Sequence, residues 1–406
     1  MKTMPINRTS SRIAIALLTT FLAYPAFGQG PLGMQLFAPA DTSTYGGGNP
    51  PNEGYFFAFD GLFWSIPAPR KALIGTTGYR EVATNVIQHI NGPQSQEPVT
   101  VTYAQTSTLH TDDLQAEFQA GQRFEFGRVE DNNGWLVSIF RLGPSSQKVS
   151  ANNVDVLLGD EIDPNTGHGL LYGLIGRGIL VSGTDSWIIG KWDNLPVTFD
   201  QATIHDKVDT WGVEASYLRR SHTFHNGGNV ELFLGARYFE FNEVFIVHGY
   251  GGVLDDNTYW KTSGDNHIVG PQIGGRYFKQ QGRWTFSTEG RFMAGFNMQN
   301  TVQQGEFGYL GSPNSIMKPE AWQGSAYSHR ETVNEFSPLV ELRVEAKYMI
   351  TRAVTFKAGW TGFWVDGIAR PNDMIVYQVP DMGISTANNR QSVFVNGVTV
   401  GFEINR

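Results

Sequence analysis

Residues 340–348 read VELRVEAKY, and their reading decides the fold. Val340, Leu342, Val344, Ala346 and Tyr348 alternate with Glu341, Arg343, Glu345 and Lys347. A period of two belongs to a β-strand with one apolar and one charged face. In a soluble sheet the apolar face packs on a core and the charges are solvated. In a transmembrane barrel the apolar face meets lipid and the charges point into the lumen. The rest of the chain chooses between these two.

The chain has 406 residues, 47 of them Gly, with 13% aromatics and only 17% charged residues. That composition suits sheets and turns more than helices. No run of about 18 apolar residues occurs, so no helix is expected to cross a membrane. Lys2, Arg8 and Arg12 precede the apolar stretch Ile13 to Ala23, and Ala26 and Gly28 are small. This is the pattern of a signal peptide over 1–28, cleaved before Gln29; the other reading is an uncleaved anchor, for which the apolar stretch is short. Loss of the three cations takes the formal charge from −8 to −11, which argues against nucleic acid as a partner. With no Cys, an exported chain rests on its sheet rather than on disulfides.

Nine further segments alternate like 340–348. They are 54–64, 114–127, 135–142, 211–217, 229–247, 269–277, 284–296, 354–364 and 394–404. The pattern of 229–247 slips near Glu240, which is read either as a bulge or as a position beyond the apolar band. The connections alternate in length. Short turns are expected at Asp131–Gly134, His225–Gly228, Gln280–Gly282 and Thr351–Arg352; long ones are expected over 66–112, 143–208, 300–335 and 366–390, with a medium loop at 248–262. Short periplasmic turns, long extracellular loops and an even strand count are the signature of an outer-membrane barrel. The expected fold is therefore all-β: an antiparallel up-and-down transmembrane barrel over 54–406, preceded by a periplasmic segment over 29–53. The strand number is ten, or twelve if the Gly-rich apolar run 169–182 adds a pair.

The faces opposite the apolar ones put twelve charges in the lumen: Glu117, Arg123, Glu125, Glu231, Arg237, Glu289, Arg291, Glu341, Arg343, Glu345, Lys347 and Lys357. Two readings stay open for them, a charge-laddered plug of a narrow barrel and a selective aqueous channel. Asp155, Asp160, Glu161 and Asp163 form an acidic cluster in the longest connection. Its spacing does not match a calcium loop, and it is expected at the pore mouth, on a loop folded towards the lumen. The same face assignment predicts that Val344→Arg harms the barrel more than Arg343→Val.

Enzyme chemistry finds no footing: G-x-S-x-G, H-E-x-x-H and phosphate-loop spacings are all missing. His222 and His225 sit at a turn, and no spacing singles out His205, His248, His267 or Ser216. No enzyme, cofactor or metal site is expected.

FFAFDGLFW (56–64), FLGARYFEFNE (233–243), VGPQIGGRYF (269–278) and FSPLVELRVEAKYMITRAVTFKAGWTGFWVDGIARPND (336–373) resemble a family of bacterial outer-membrane barrels, the group called beta-barrel porin seven. The resemblance implies an outer-membrane barrel and pore formation; it brings no catalytic or ligand residue. One departure is the ending FEINR (402–406), which lacks a terminal aromatic. The expected function is passive diffusion of small polar solutes or ions, with outer-membrane lipid as the other partner and the oligomeric state open. The alternatives are a non-conducting structural or adhesive barrel, and a soluble secreted β-sandwich that binds carbohydrate.

Overall fold

The computed structural model describes residues 54–87, 96–160, 179–180, 187–192, 194–251, 258–308, 326–379 and 381–405. The expected signal peptide and periplasmic segment lie outside these residues.

Ten strands form one closed antiparallel barrel. They are β1 (Gly54–Ile66), β2 (Glu117–Glu130), β3 (Asn133–Asp160), β4 (Asn194–Arg220), β5 (Gly228–Tyr250) and β6 (Thr258–Gln281). Next come β7 in two halves, β7a (Trp284–Met293) and β7b (Phe296–Glu306), and β8 likewise, β8a (Ala326–Phe336) and β8b (Leu339–Met349). β9 (Val354–Ile368) and β10 (Gln391–Asn405) complete the series. Each strand pairs with its neighbours in the chain, and β10 returns to β1, from Phe56↔Asn405 to Ser65↔Asn396. Closure through β7a and β8b leaves no free edge within the lipid, so backbone groups there are satisfied; above it, β8a pairs with β7b alone among the described residues. The interruptions of β7 and β8 lie side by side: Ser337 N donates to Gly295 O (2.9 Å) and Ala294 N to Pro271 O (3.1 Å).

The run 169–182 adds no barrel strand among the described residues. Ile179–Leu180 pairs with Trp187–Trp192, which pairs with a hairpin of Thr77–Ile87 and Gln96–Thr106, a separate four-stranded sheet. The connections 66–112 and 143–208 are likewise not simple loops. β3 and β4 run on as a paired ribbon from Asn133↔Arg219 to Gly159↔Asn194. β3 has 28 residues and β4 has 27, where about 9–11 suffice to cross a bilayer. The ribbon therefore stands well outside the lipid on the long-loop side.

The outward faces explain where the lipid lies. Tyr55, Phe57, Phe59 and Phe63 on β1, Phe124 and Phe126 on β2, Trp135 and Ile139 on β3, Leu232 and Leu234 on β5, and Phe394, Val398 and Phe402 on β10 all point outward and are exposed. No alternation slips at Glu240. In β5 the odd positions from Glu231 to Val247 point inward without a break, and the even ones outward. What changes is the content of the faces. Below Tyr238 the inside carries Glu231 and Arg237 and the outside is apolar; above it the inside carries Phe239, Phe241, Phe245 and Val247 around the one acid Glu243, and the outside mixes Glu240, Asn242 and His248 with Val244 and Ile246. Lipid has given way to water, so the apolar residues move to the only dry place left, the interior.

Inside, the barrel is layered. Phe56, Val129, Leu136, Leu218 and Phe233 cap the short-turn end. The charged layer follows. Above it lies an apolar layer that includes Leu62, Trp64, Phe140, Phe239, Ile268, Met293, Phe363 and Val395. The uppermost core gathers Val156, Phe199, Phe245, Trp260, Tyr327 and Tyr377.

The lipid-facing register carries a direct test. Val344→Arg places a guanidinium on the lipid face and should cost about 2–4 kcal/mol near the bilayer midplane. Unfolding titrations in lipid bilayers read this, and a cost near zero would reject the outward assignment.

Candidate functional site

The site is the filled interior. Alternation delivers a charged side chain into the middle of the barrel from every strand except β3. Seven carboxylates (Asp60, Glu125, Glu214, Glu231, Glu289, Glu341, Glu345) meet seven cations (Arg123, Arg220, Arg237, Arg276, Arg291, Arg343, Lys357) in one connected set of ion pairs. Its formal charge is zero. Lys347 and Glu403 form a separate pair at 2.7 Å.

Arg343 is the hub. It donates to Glu125 Oε1 at 2.7 Å and to Glu341, and lies 3.8 Å from Glu289 and 4.0 Å from Glu214. Arg237 binds Glu341 at 2.5 Å and stacks over Phe363, 4.9 Å from its ring centre, so the top of the charged layer rests on the apolar one. Arg291 binds Glu214 and Glu289 and lies 4.9 Å over Phe233 of the bottom cap. Arg123 and Lys357 share Asp60, at 2.8 and 3.0 Å. Burying a charge is costly unless it is paired, and here every member has an opposite charge within 4 Å, on its own strand or across strands.

The twelve charges expected in the lumen all take the inward register; ten are members of the network and Lys347 is in its own pair. Glu117 lies apart: it sits at the start of β2, accepting from Ser145 Oγ (2.8 Å) and Gln119 Nε2 (3.0 Å). Asp60, Glu214, Arg276 and Glu403 were missed as members although each stands opposite an apolar face in its own strand. Arg220 lies beyond the last apolar residue of β4, where alternation carries no signal.

Of the four acids expected at the pore mouth, Asp155 is the one whose side chain the structure describes. Asp155 is exposed within the strand β3, and its N–H donates to Thr108 Oγ1 (2.9 Å) while its carbonyl accepts from Thr108 N (2.8 Å). Asp160 ends β3, its backbone paired with Val379. Glu161 and Asp163 lie outside the described residues. The segment folded inward is instead 366–390. Gly367 (φ 71°) turns it in, a conformation open to glycine, and its carbonyl accepts from Asn297 (2.9 Å), Gln299 (2.9 Å) and Ser337 (2.7 Å). Asn266 exchanges two hydrogen bonds with the backbone of Ala369. Arg370 grips Glu243 with two bonds of 2.7 Å and donates to Ala68 O (2.9 Å). Polar side chains of β6 and β7b, which fall between the strands and loops read from the sequence, hold this segment.

Ser146 Oγ lies 2.9 Å from His205 Nε2 on the outer face, with no hydrogen bond to the other ring nitrogen among the described residues. Nothing there orients the imidazole as a base.

The hub reverses the ranking expected from the strand alone. Arg343→Met strands buried carboxylates and should cost about 3–5 kcal/mol, at least as much as Val344→Arg. Lys347→Met with Glu403→Gln removes a pair together and should cost less than the two single changes summed. Unfolding titrations of the four variants in bilayers measure both; a mild Arg343→Met would show that the network is not stabilising the barrel.

A comparison with curated proteins finds no match. Among solved structures, the outer membrane protease OmpT from Escherichia coli gives a TM-score of 0.38 at 9% identity, covering 88% of this chain and 98% of that one. A FadL homologue from Pseudomonas aeruginosa gives 0.27 at 8% identity over 87% and 90%. The toluene transporter TodX of P. putida gives 0.14 at 9% identity over 87% and 90%. Scores this low carry no argument about function. The family model described as "Putative beta barrel porin-7 (BBP7)" matches residues 201–405, from β4 to β10 and just over half of the chain. The chain belongs to this family of outer-membrane β-barrel porins.

Proposed function

We propose that this barrel is closed at rest and that its work is done at the extracellular end rather than through the lumen. The observation that supports this is the apolar layer. Every strand but β2 sends a side chain into it, and each of those side chains is no more than 5% exposed. At the same level β2 has Gly121, whose missing side chain leaves room for Leu142. A continuous water path would leave some of these atoms wet.

Small polar solutes or ions would have to cross three barriers in turn. The first is a layer in which every charge is already paired, the second a dry apolar layer, and the third the inward segment held by Asn266, Asn297, Gln299 and Arg370. Each barrier imposes a desolvation cost that passive diffusion cannot meet. In this reading residues 1–28 direct export, lipid surrounds the lower half, and the ribbon of β3 and β4 with the small sheet forms the exposed face. The chain has a structural or surface-binding role and no catalytic one. A second reading keeps solute passage and rests on the Arg370–Glu243 pair: segment 366–390 is held by polar side chains, which could release it.

Conductance across planar bilayers tests both. Refolded protein, with insertion verified by heat-modifiable migration on gels, should give no ohmic steps in KCl. A variant with 371–389 replaced by a short Gly-Ser linker should stay silent, because the apolar layer remains. Steps from the native chain would overturn the closed reading, and steps from the shortened variant alone would favour a releasable plug.

A further inference from the structure

The outer face above the lipid carries a feature that neither the closed lumen nor the fold requires. Trp211, Tyr238 and His267 pack side by side on β4, β5 and β6, with ring centres 5.2 and 6.4 Å apart, and mark the upper lipid boundary. Above them the register sets Lys148, His205, Ile246 and Lys261 in one row across β3 to β6. Lys207, beside Ser146, stands in the row beneath. At about 4.8 Å between strands the upper row is about 15 Å wide. The three lysines are exposed and make no ion pair with any described residue. Three outward carboxylates border the patch: Asp209 and Asp265 lie one row below Lys207, with Asp209 already facing Arg141 at 3.6 Å, and Glu306 on β7b stands opposite Tyr259, one row above Lys261. Partial burial, then Lys207 and Lys148, hold the His205 imidazole below its usual pKa, as an electropositive patch would.

Directly above this row is an aromatic platform. His248 stacks with Tyr250 (6.1 Å, 12°) and with Tyr259 (5.7 Å, 27°) on the same outward face. Lysines recognise phosphate as point charges, and flat rings pack on sugar rings. The height narrows the choice. At about 3.3 Å per residue and a tilt of about 40°, Lys207 lies about 10 Å above the Trp211 ring and the upper row about 15 Å above it. A phospholipid headgroup region ends about 5–8 Å beyond the hydrocarbon. A saccharide headgroup reaches further.

We infer that the outward patch of Lys148, Lys207, Lys261 and His205, with the His248–Tyr259 platform above it, binds the phosphorylated saccharide headgroup of a neighbouring outer-leaflet glycolipid. The face looks sideways, parallel to the membrane, so a lipid standing in the same leaflet meets it without leaving the bilayer.

The test uses the full-length mature chain folded in phosphatidylcholine vesicles and titrated with diphosphorylated lipid A or with its dephosphorylated form. The phosphorylated lipid should bind about tenfold tighter or more, with the preference weakening as salt rises. Lys148→Gln/Lys207→Gln/Lys261→Gln should remove most of that preference. Lys279→Gln/Arg283→Gln, at the opposite rim, should leave it unchanged. All five substitutions are on exposed residues outside the lipid band, and gel migration of the folded barrel verifies that each variant folds. Equal binding of the two lipids would overturn the inference. So would a preference that survives the triple variant, or one that falls equally in both variants. Displacement of the lipid by an equal concentration of inorganic phosphate would overturn the assignment to a glycolipid.

Discussion

The structure depends on the rule that a charge enclosed by lipid must find its partner inside the protein. The strands crossing the bilayer present apolar residues outward, and alternation then forces the other set inward, whatever its polarity. In a barrel of ten strands that set is crowded. Here it resolves into seven carboxylates and seven cations in one neutral network, with Arg343 touching four carboxylates. A surplus of either sign would leave a buried charge unpaired, at a cost comparable to the stability of a whole domain.

The same rule, applied above the lipid, yields the opposite interior. Once water replaces hydrocarbon outside, polar residues turn outward and Phe239, Phe241, Phe245 and Val247 turn in. The barrel therefore inverts its polarity along its own length while its register stays fixed. The closed lumen is a consequence: where the interior is apolar it packs as a core, and cores exclude water. Segment 366–390 then fills the upper part, anchored by amides that would be buried and unsatisfied without it.

Much of this was legible in the sequence. The membrane-crossing part of each of the ten strands was found, because alternation and turn chemistry act locally, while the extensions of β3, β4, β6, β7b and β8a above it were read as loops. Charges such as Arg343 and Glu289 were placed inside by the same local signal. The inward path of 366–390 was not legible, since it depends on Asn266, Asn297 and Gln299, whose partners lie 68 to 103 residues away. The sequence left two readings of the break at Glu240, a bulge or the end of the apolar band; the unbroken alternation of β5 selects the second. The stretch that carries Asp155 was read as a loop on length alone, and it is a strand that continues far past the membrane.

The chain contains no Cys, which makes water in the lumen directly measurable. Single cysteines at Val395, in the apolar layer, and at Ser150, exposed on the outer face, can be challenged with a charged, membrane-impermeant thiol reagent from either side of a vesicle. The account predicts rapid labelling of Ser150→Cys from one side only and none of Val395→Cys from either. Labelling of Val395→Cys at a rate close to that of Ser150→Cys would mean that water fills the barrel, and would contradict the closed lumen.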